Sequence, residues 1–447
     1  MSTNSSRRYW EVALALICTL LGVALTIGWE KYEQRRKARD ERNRQPQVML
    51  DQAEAKRRQL TESELASALD ILNQVPGVIN QNQSLDQATK RRYQALTYSG
   101  LSRVFADWAT LRSGRGLARG DFPQQAQSLA LQASTFAPEM PETGIALAYA
   151  FESAEAEQRD RSATKKKVKD LLAKGIDNLD TRYLAWRSDD ANEEAKSFPD
   201  RVRANDLSDL LILVDIGIYF AKKAEQAPEP AAKQANISRS EEFLARAVRV
   251  SPNNAMALYG QGYLSASRGN IAQARDYYRK AIDQEPTFPK ARNNWGFTFA
   301  AEGKYAEAKE QFEAAVQAAA GAPTTSLRRW LDNLGYASLE IGDNARACQV
   351  WIQASGTPGA NENPRTVLGL AMCHYINGEK DNALADFRSS AAIAQDWNKS
   401  PTNSSVNPLD INWYEKEKDG PKELKIAKDL IQMDKQLPKL VSANKKA

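Results

Sequence analysis

Histidine and cysteine are nearly missing from this 447-residue sequence: His374 stands alone, and the thiols are Cys18, Cys348 and Cys373. A histidine-based metal centre would have to be completed by carboxylates, and no H-E-x-x-H pair, aspartate-rich calcium loop or cysteine cluster starts one. The thiol spacings make no zinc pattern and no disulfide framework, so a reducing compartment is permitted. A Cys-His nucleophile would have to be Cys373 with His374, yet neighbours in a helix point about 100° apart and do not face each other. His374 is expected to pack within a helical unit. No G-x-S-x-G elbow, P-loop or kinase signature is present, and strand signals are almost absent. Neither a cofactor, a metal nor a small-molecule substrate is expected.

Charge of one sign is scarce outside one short stretch. Of the net +5, residues 1–29 carry +1 and residues 30–44 carry +3, with Lys31, Arg35, Arg36, Lys37, Arg39, Arg42 and Arg44 against four acids. The remaining four hundred residues hold +1, too little field to attract nucleic-acid phosphates. The basic stretch from 31 to 44 suits anionic lipid headgroups or a solvated stalk. Before it runs WEVALALICTLLGVALTIGW, residues 10–29, with Glu11 its single charge and a tryptophan at each end. At about 1.5 Å per residue it spans roughly 30 Å, the thickness of bilayer hydrocarbon. A retained anchor is favoured over a cleaved signal, since no A-x-A-like site follows. The excess of basic residues after the span puts the C-terminal bulk on the cytoplasmic side, with a signal-anchor orientation, extracytoplasmic, as the alternative. Pro46 is expected to end any helix leaving the membrane.

What the chain has in quantity is a repeat. Leu258, Gly262, Gly269, Ala274, Tyr278, Ala281 and Pro286 are answered 34 residues on by Arg292, Gly296, Gly303, Ala308, Phe312, Ala315 and Ala320. A third unit carries Leu331, Leu334, Gly335, Gly342, Ala347, Trp351 and Ala354. A fourth carries Val367, Leu370, Ala371, Gly378, Ala383, Phe387 and Ser390. Small residues at positions eight, twenty and twenty-seven let two antiparallel helices approach, and the aromatic at twenty-four fills the space between units. Upstream the pattern is degenerate. Ala126, Ala130, Ala133 and Pro138 look like a second helix after one through Tyr93 to Leu111. Leu147, Ala148 and Phe151 open the next pair, closed by Val168, Leu171 and Leu172. Leu207 to Ala224 pairs with Ser240, Leu244, Ala247 and Pro252 across the loop QAPEPAAKQ.

The pattern resembles the tetratricopeptide repeat, strongly over 255–391 and weakly elsewhere. The expected fold is an all-α solenoid with one N-terminal transmembrane helix. Its parts are a tail at 1–9, the span at 10–29, a charged stalk at 30–60 and degenerate repeats at 61–254. Four units follow at 255–288, 289–322, 328–361 and 364–397, then a loop at 398–420, a capping helix at 421–437 and a tail at 438–447. The resemblance implies a scaffold in which first helices line a concave, protein-binding face. Transferred by position, that face includes Tyr259, Tyr263, Asn293, Phe297, Arg329, Tyr336, Met372 and Tyr375. Tyrosine and arginine suit such a role, burying large area with a hydrogen-bonding tip. Some relatives grip a chaperone's C-terminal carboxylate with lysine and asparagine at positions held here by Tyr259 and Tyr263, so that specificity is not expected. Two alternatives stand beside the scaffold: chemistry hidden in the degenerate region 93–203, and a self-associating spacer. The stretch RSGRGLARGD, Arg112 to Asp121, reads as a flexible loop more than a phosphate cradle. The pairs Asp189-Asp190 and Glu193-Glu194 read as solvated.

Overall fold

The computed structural model describes residues 3–155, 161–188, 192–319, 324–398, 425–426, 429–430 and 432, with backbone alone for 3–28, 324–325 and 395–398. The described residues are helical throughout, with no strand. In order they are α1 (Thr3–Arg57), α2 (Glu62–Gln81), α3 (Gln87–Arg115), α4 (Phe122–Phe136), α5 (Pro141–Glu155) and α6 (Ser162–Ala173). An irregular stretch follows with α7 (Leu179–Ser188), α8 (Glu193–Lys196) and α9 (Phe198–Arg201). Then come α10 (Leu210–Gln226), α11 (Pro230–Val250), α12 (Ala255–Ser267), α13 (Ile271–Gln284), α14 (Pro289–Ala300) and α15 (Tyr305–Ala318). The last are α16 (Thr324–Glu340), α17 (Asn344–Ser355), α18 (Pro364–Ile376) and α19 (Lys380–Asn398).

Successive helices pack as pairs, α3 on α4, α10 on α11, α12 on α13, and so on to α18 on α19, the arrangement of an α-solenoid. Two kinds of glycine make each pair. Gly269, Gly303, Gly342 and Gly378 stand at the turn between helices with φ of 79°, 72°, 86° and 80°, a left-handed conformation that glycine adopts without penalty. Gly262, Gly296 and Gly335 instead admit the aromatic at position twenty-four: a Cβ there would lie 2.6 Å from Tyr278, 2.6 Å from Phe312 and 2.5 Å from Trp351. Those three rings are buried. Most of QAPEPAAKQ is helix rather than loop, because Pro230 opens α11 in the first-turn position where its missing N–H costs nothing.

Two further expectations, on Pro46 and on the cysteines, are corrected. α1 does not end at Pro46 but runs on to Arg57. The missing N–H of Pro46 orphans the carbonyl of Arg42, and Asn82 Nδ2 donates to that oxygen at 3.1 Å. Asn82 also donates to Asn43 Oδ1 at 3.1 Å, so the helix is joined to the solenoid from residue 43 onward. Residues 30–42 remain largely exposed, an overhang of about 20 Å at the usual helical rise rather than a broken stalk. The second correction is a disulfide between Cys348 on α17 and Cys373 on α18, with Cα atoms 5.1 Å apart. Sequence spacing alone misses it because helix packing between neighbouring units brings the two together.

The superhelix also winds far enough to touch itself. Arg57, 5% exposed, ends α1 in an ionic cluster with Glu54, Asp107 of α3 and, at 3.2 Å, Asp209 before α10. Asn254, which caps α12, donates to the carbonyls of Gln59 at 2.9 Å and Leu60 at 3.0 Å. Leu60, at φ 49° the only described non-glycine residue with positive φ, is held there by burial and by that bond. RSGRGLARGD is a strut rather than a flexible loop. Arg115 is buried and bonds Glu62 at 3.1 Å and Glu285 at 2.7 Å, while Arg112 donates to the carbonyl of Ala118 and Arg119 to those of Ser153 and Ala154.

Of the remaining sequence readings, no helix among the described residues is long and apolar enough to cross a membrane. The side chains of 3–28, on which the expected span rests, lie outside the described residues, as do Asp189-Asp190, Ala320 and most of 398–447. Glu193 and Glu194 are exposed at the start of α8.

Candidate functional site

Homologous positions on α12, α14, α16 and α18 do not all face solvent. Position five is internal. Tyr259 is buried, its ring 5.2 Å from Phe288 and 5.9 Å from Tyr278, and its hydroxyl accepts from Asn294 Nδ2 at 3.2 Å. Burial pushes that phenol up to about 12. Asn293 is buried too, accepting from Asn333 at 2.8 Å. Asp332 is buried with Thr366 donating to its Oδ2 at 2.8 Å and its Oδ1 without a hydrogen-bond partner. These residues tie neighbouring first helices together and are not available to a partner, which corrects the expectation for Tyr259 and Asn293.

Asp332 gives this layer a pH signature. Burial raises its carboxyl to about 6, the Thr366 hydrogen bond and nearby arginines only partly offsetting it. The folded state therefore holds the proton more tightly than the unfolded chain does. Stability is greatest below the unfolded carboxylate range near 4, falls as pH rises to about 6, and is flat above. Asp332→Asn abolishes that dependence. Its stability relative to wild type should rise by up to about 3 kcal/mol between pH 4 and pH 7 in denaturant titrations. A difference that does not change with pH would contradict the assignment.

Position nine is open. Phe297 follows Gly296 and is 43% exposed, its other edge resting on Phe312 at 5.4 Å. Tyr263 is half-buried and donates to Glu225 of α10 at 2.8 Å, and Ser267 donates to the same carboxylate at 2.7 Å. Burial, then Glu225, pushes the Tyr263 phenol well up, so it is neutral at any physiological pH. Tyr336 is half-buried and stands edge-on to Tyr305 at 5.9 Å. Arg329 is exposed. Sequence position thus brings Tyr263, Phe297 and Tyr336 to one recurring site, each directly after the close-packing glycine.

The fourth unit is occupied by the chain itself. Met372 is buried, and Ile426 and Leu430 belong to the same apolar cluster as Met372, Leu368 and Phe387. Tyr375 donates to Asp429 at 2.7 Å. His374 is half-buried with Nδ1 2.8 Å from Asp386. At the other edge, Met256 and Lys290 approach the end of α3: Lys290 Nζ donates to the Ser113 carbonyl at 3.4 Å, and a Cβ on Gly114 would meet Met256 at 3.0 Å.

Within the region 93–203, α3 pairs with α4 and α5 with α6 before the irregular stretch, and the region is not featureless. A cavity of about 310 Å³ lies between α1, α3, α5 and α7, lined by titratable groups that include Arg103, Glu54 and Asp180. Nothing in the sequence marks it, because its wall comes from five separate helices, Leu72 of α2 included. No group of three or more histidine, cysteine or carboxylate side chains able to hold a metal occurs among the described residues.

Pairs of antiparallel helices stacked through a small residue facing an aromatic define a helical-repeat scaffold. Residues 231–289, which contain α12 and α13, match the tetratricopeptide repeat family. The chain thus carries the tetratricopeptide repeat over that segment. No curated protein matches the sequence. Among solved structures it is similar to yeast Tom70, at 12% identity over 90% of this chain and 85% of that one with a TM-score of 0.44. It is also similar to PilF of Pseudomonas aeruginosa, at 18% identity over 50% of this chain and 99% of that one with a TM-score of 0.36. A third likeness is to the Cut9–Hcn1 complex of the APC/C, at 15% identity over 86% and 81% with a TM-score of 0.33.

Proposed function

We propose that this protein is a membrane-anchored scaffold that holds a partner protein on the aromatic surface made by Tyr263, Phe297 and Tyr336, with Arg329 beside it. The observation that carries the reading is Phe297, a large apolar side chain left 43% exposed on a first helix whose neighbouring positions are filled by the chain itself. The last unit indicates what such a face accepts. There Ile426 and Leu430, four positions apart in the sequence, bury against the first helix while Asp429 takes the tyrosine hydroxyl. The partner is accordingly an amphipathic helical segment with two apolar residues one turn apart and an acidic group for Arg329. The near-neutral charge of the solenoid makes apolar contact the main source of affinity.

Replacing Tyr263 and Phe297 together by alanine should weaken partner capture by about 2 kcal/mol or more, while the far-ultraviolet circular dichroism stays helical. Raising salt should matter much less than the double substitution. Capture at wild-type affinity by the folded double variant would remove this surface from consideration.

Residues 10–29 are assigned as the anchor and the exposed basic segment 31–44 as the part that meets lipid headgroups, with the solenoid held off by the continuous α1. The basic residues after the span support a cytoplasmic solenoid. One observation favours the opposite side: the Cys348–Cys373 bond belongs in an oxidising compartment. A C-terminal fusion to a reporter active only outside the cytoplasm separates the two. The cytoplasmic placement predicts no activity and free thiols at both cysteines; activity with an intact disulfide would overturn it.

A further inference from the structure

We propose that the cavity between α1, α3, α5 and α7 binds a small α-amino acid or a zwitterion of similar size. Its volume, about 310 Å³, is at the low end for small-molecule sites. Two donors in its wall lack protein acceptors. Ser99 is 5% exposed and its Oγ has no hydrogen-bond partner; neither has Nε of Arg103, one helical turn further along the same face of α3. A buried donor left unsatisfied is costly, so the pair is poised for an acceptor supplied from outside.

Arg103 is held in place for that task. Its guanidinium stacks on the Tyr149 ring at 3.3 Å and Nη1 donates to Asp180 at 3.1 Å, while Nε is buried without a hydrogen-bond partner. A carboxylate received by Arg103 Nε–H and the Ser99 hydroxyl would make two charge-assisted hydrogen bonds. The rim carries the complementary sign, since Asp51 and Glu142 line the same cavity and are exposed. An ammonium group near them completes a zwitterion, and Leu50, Leu96 and Ile145 provide apolar wall for a modest side chain. Carboxylates outnumber arginines around the cavity, which disfavours phosphorylated or multiply anionic ligands. This inference does not depend on the protein-binding surface, which is built from α12, α14 and α16.

The test is calorimetric titration of the full-length protein in detergent with glycine, alanine, leucine and glutamate, using acetate and ethylamine as ligands of a single charge. At least one amino acid should bind, with acetate and ethylamine about tenfold weaker or more, since each lacks one half of the recognition. Ser99→Ala should weaken binding about tenfold without changing the melting temperature of the unliganded protein, because its hydroxyl has no partner to lose. Leu96→Trp, which fills the cavity, should abolish binding. The proposal is overturned if no amino acid binds at millimolar concentration, if acetate binds as tightly as the amino acids, or if Ser99→Ala leaves affinity unchanged.

Discussion

Leucine in place of Gly296 should destabilise the solenoid by about 3 kcal/mol or more. The Cβ alone would stand 2.6 Å from Phe312 Cε1 and 2.7 Å from Cδ1, closer than real Cβ contacts come. Phe312 cannot swing aside, since it is buried in a cluster with Leu331, Leu334 and Val350 and is abutted by Phe297. The helix pair must therefore part, and the stacking with the next unit goes with it. Gly77→Ala is the matching control. Nothing lies within 4 Å of a Cβ there, and alanine in a helix interior is favoured over glycine by about 0.5 to 1 kcal/mol. Equal melting profiles for Gly296→Leu and Gly77→Ala would show that the close contact is not what joins the pair.

Removing Arg57 should cost about 3 to 5 kcal/mol, the usual loss when one partner of a buried ion pair is deleted. The guanidinium bonds Glu54 at 2.7 Å and 2.8 Å, Asp209 at 3.2 Å, and Asp107, whose side chain is 1% exposed. Burial already pushes the Asp107 carboxyl above its ordinary value, against the pull of Arg57 and Arg103. Without Arg57 that carboxyl rises further. The defect of Arg57→Ala should therefore be largest at neutral pH and shrink on acidification, as Asp107 is protonated in folded and unfolded chains alike. Replacing Arg57 and Asp107 together by leucine should recover part of the loss, because Asp107 no longer stands as a buried unpaired charge, although Asp209 still loses its partner. Arg58→Ala, at an exposed neighbour, should cost less than about 1 kcal/mol. Like losses for Arg57→Ala and Arg58→Ala would mean that α1 is not fastened through this cluster.

The parts of the fold legible in the sequence are those fixed by contacts within one unit. Gly262 with Tyr278, Gly296 with Phe312 and Gly335 with Trp351 recur at constant offsets, and each meeting is made across a single helix pair. Contacts made across the superhelix left no such trace. Asn82 repairs the helix at Pro46 from 40 residues away. Arg115 reaches Glu285 across 170 residues, and Asn254 reaches Leu60 across 194. The site is legible in halves for the same reason. Phe297 and Tyr263 follow from repeat position, but whether Tyr259 and Asn293 face outward depends on Asn294, Phe288 and Asn333 in adjoining units, which position rules do not weigh. Met372 and Tyr375 are taken by the chain's own Leu430 and Asp429 neighbourhood, a competition that no single repeat encodes.

The position-nine aromatic surface is proposed to hold a partner protein. A photo-reactive phenylalanine analogue at position 297 of the full-length chain, activated in native membranes, tests it most directly. The surface assignment predicts a discrete adduct with another polypeptide, lost when Tyr263 is replaced by alanine and absent when the analogue replaces Leu131, which is 52% exposed on α4. Adducts that are the same from positions 297 and 131, or none from 297, would contradict it.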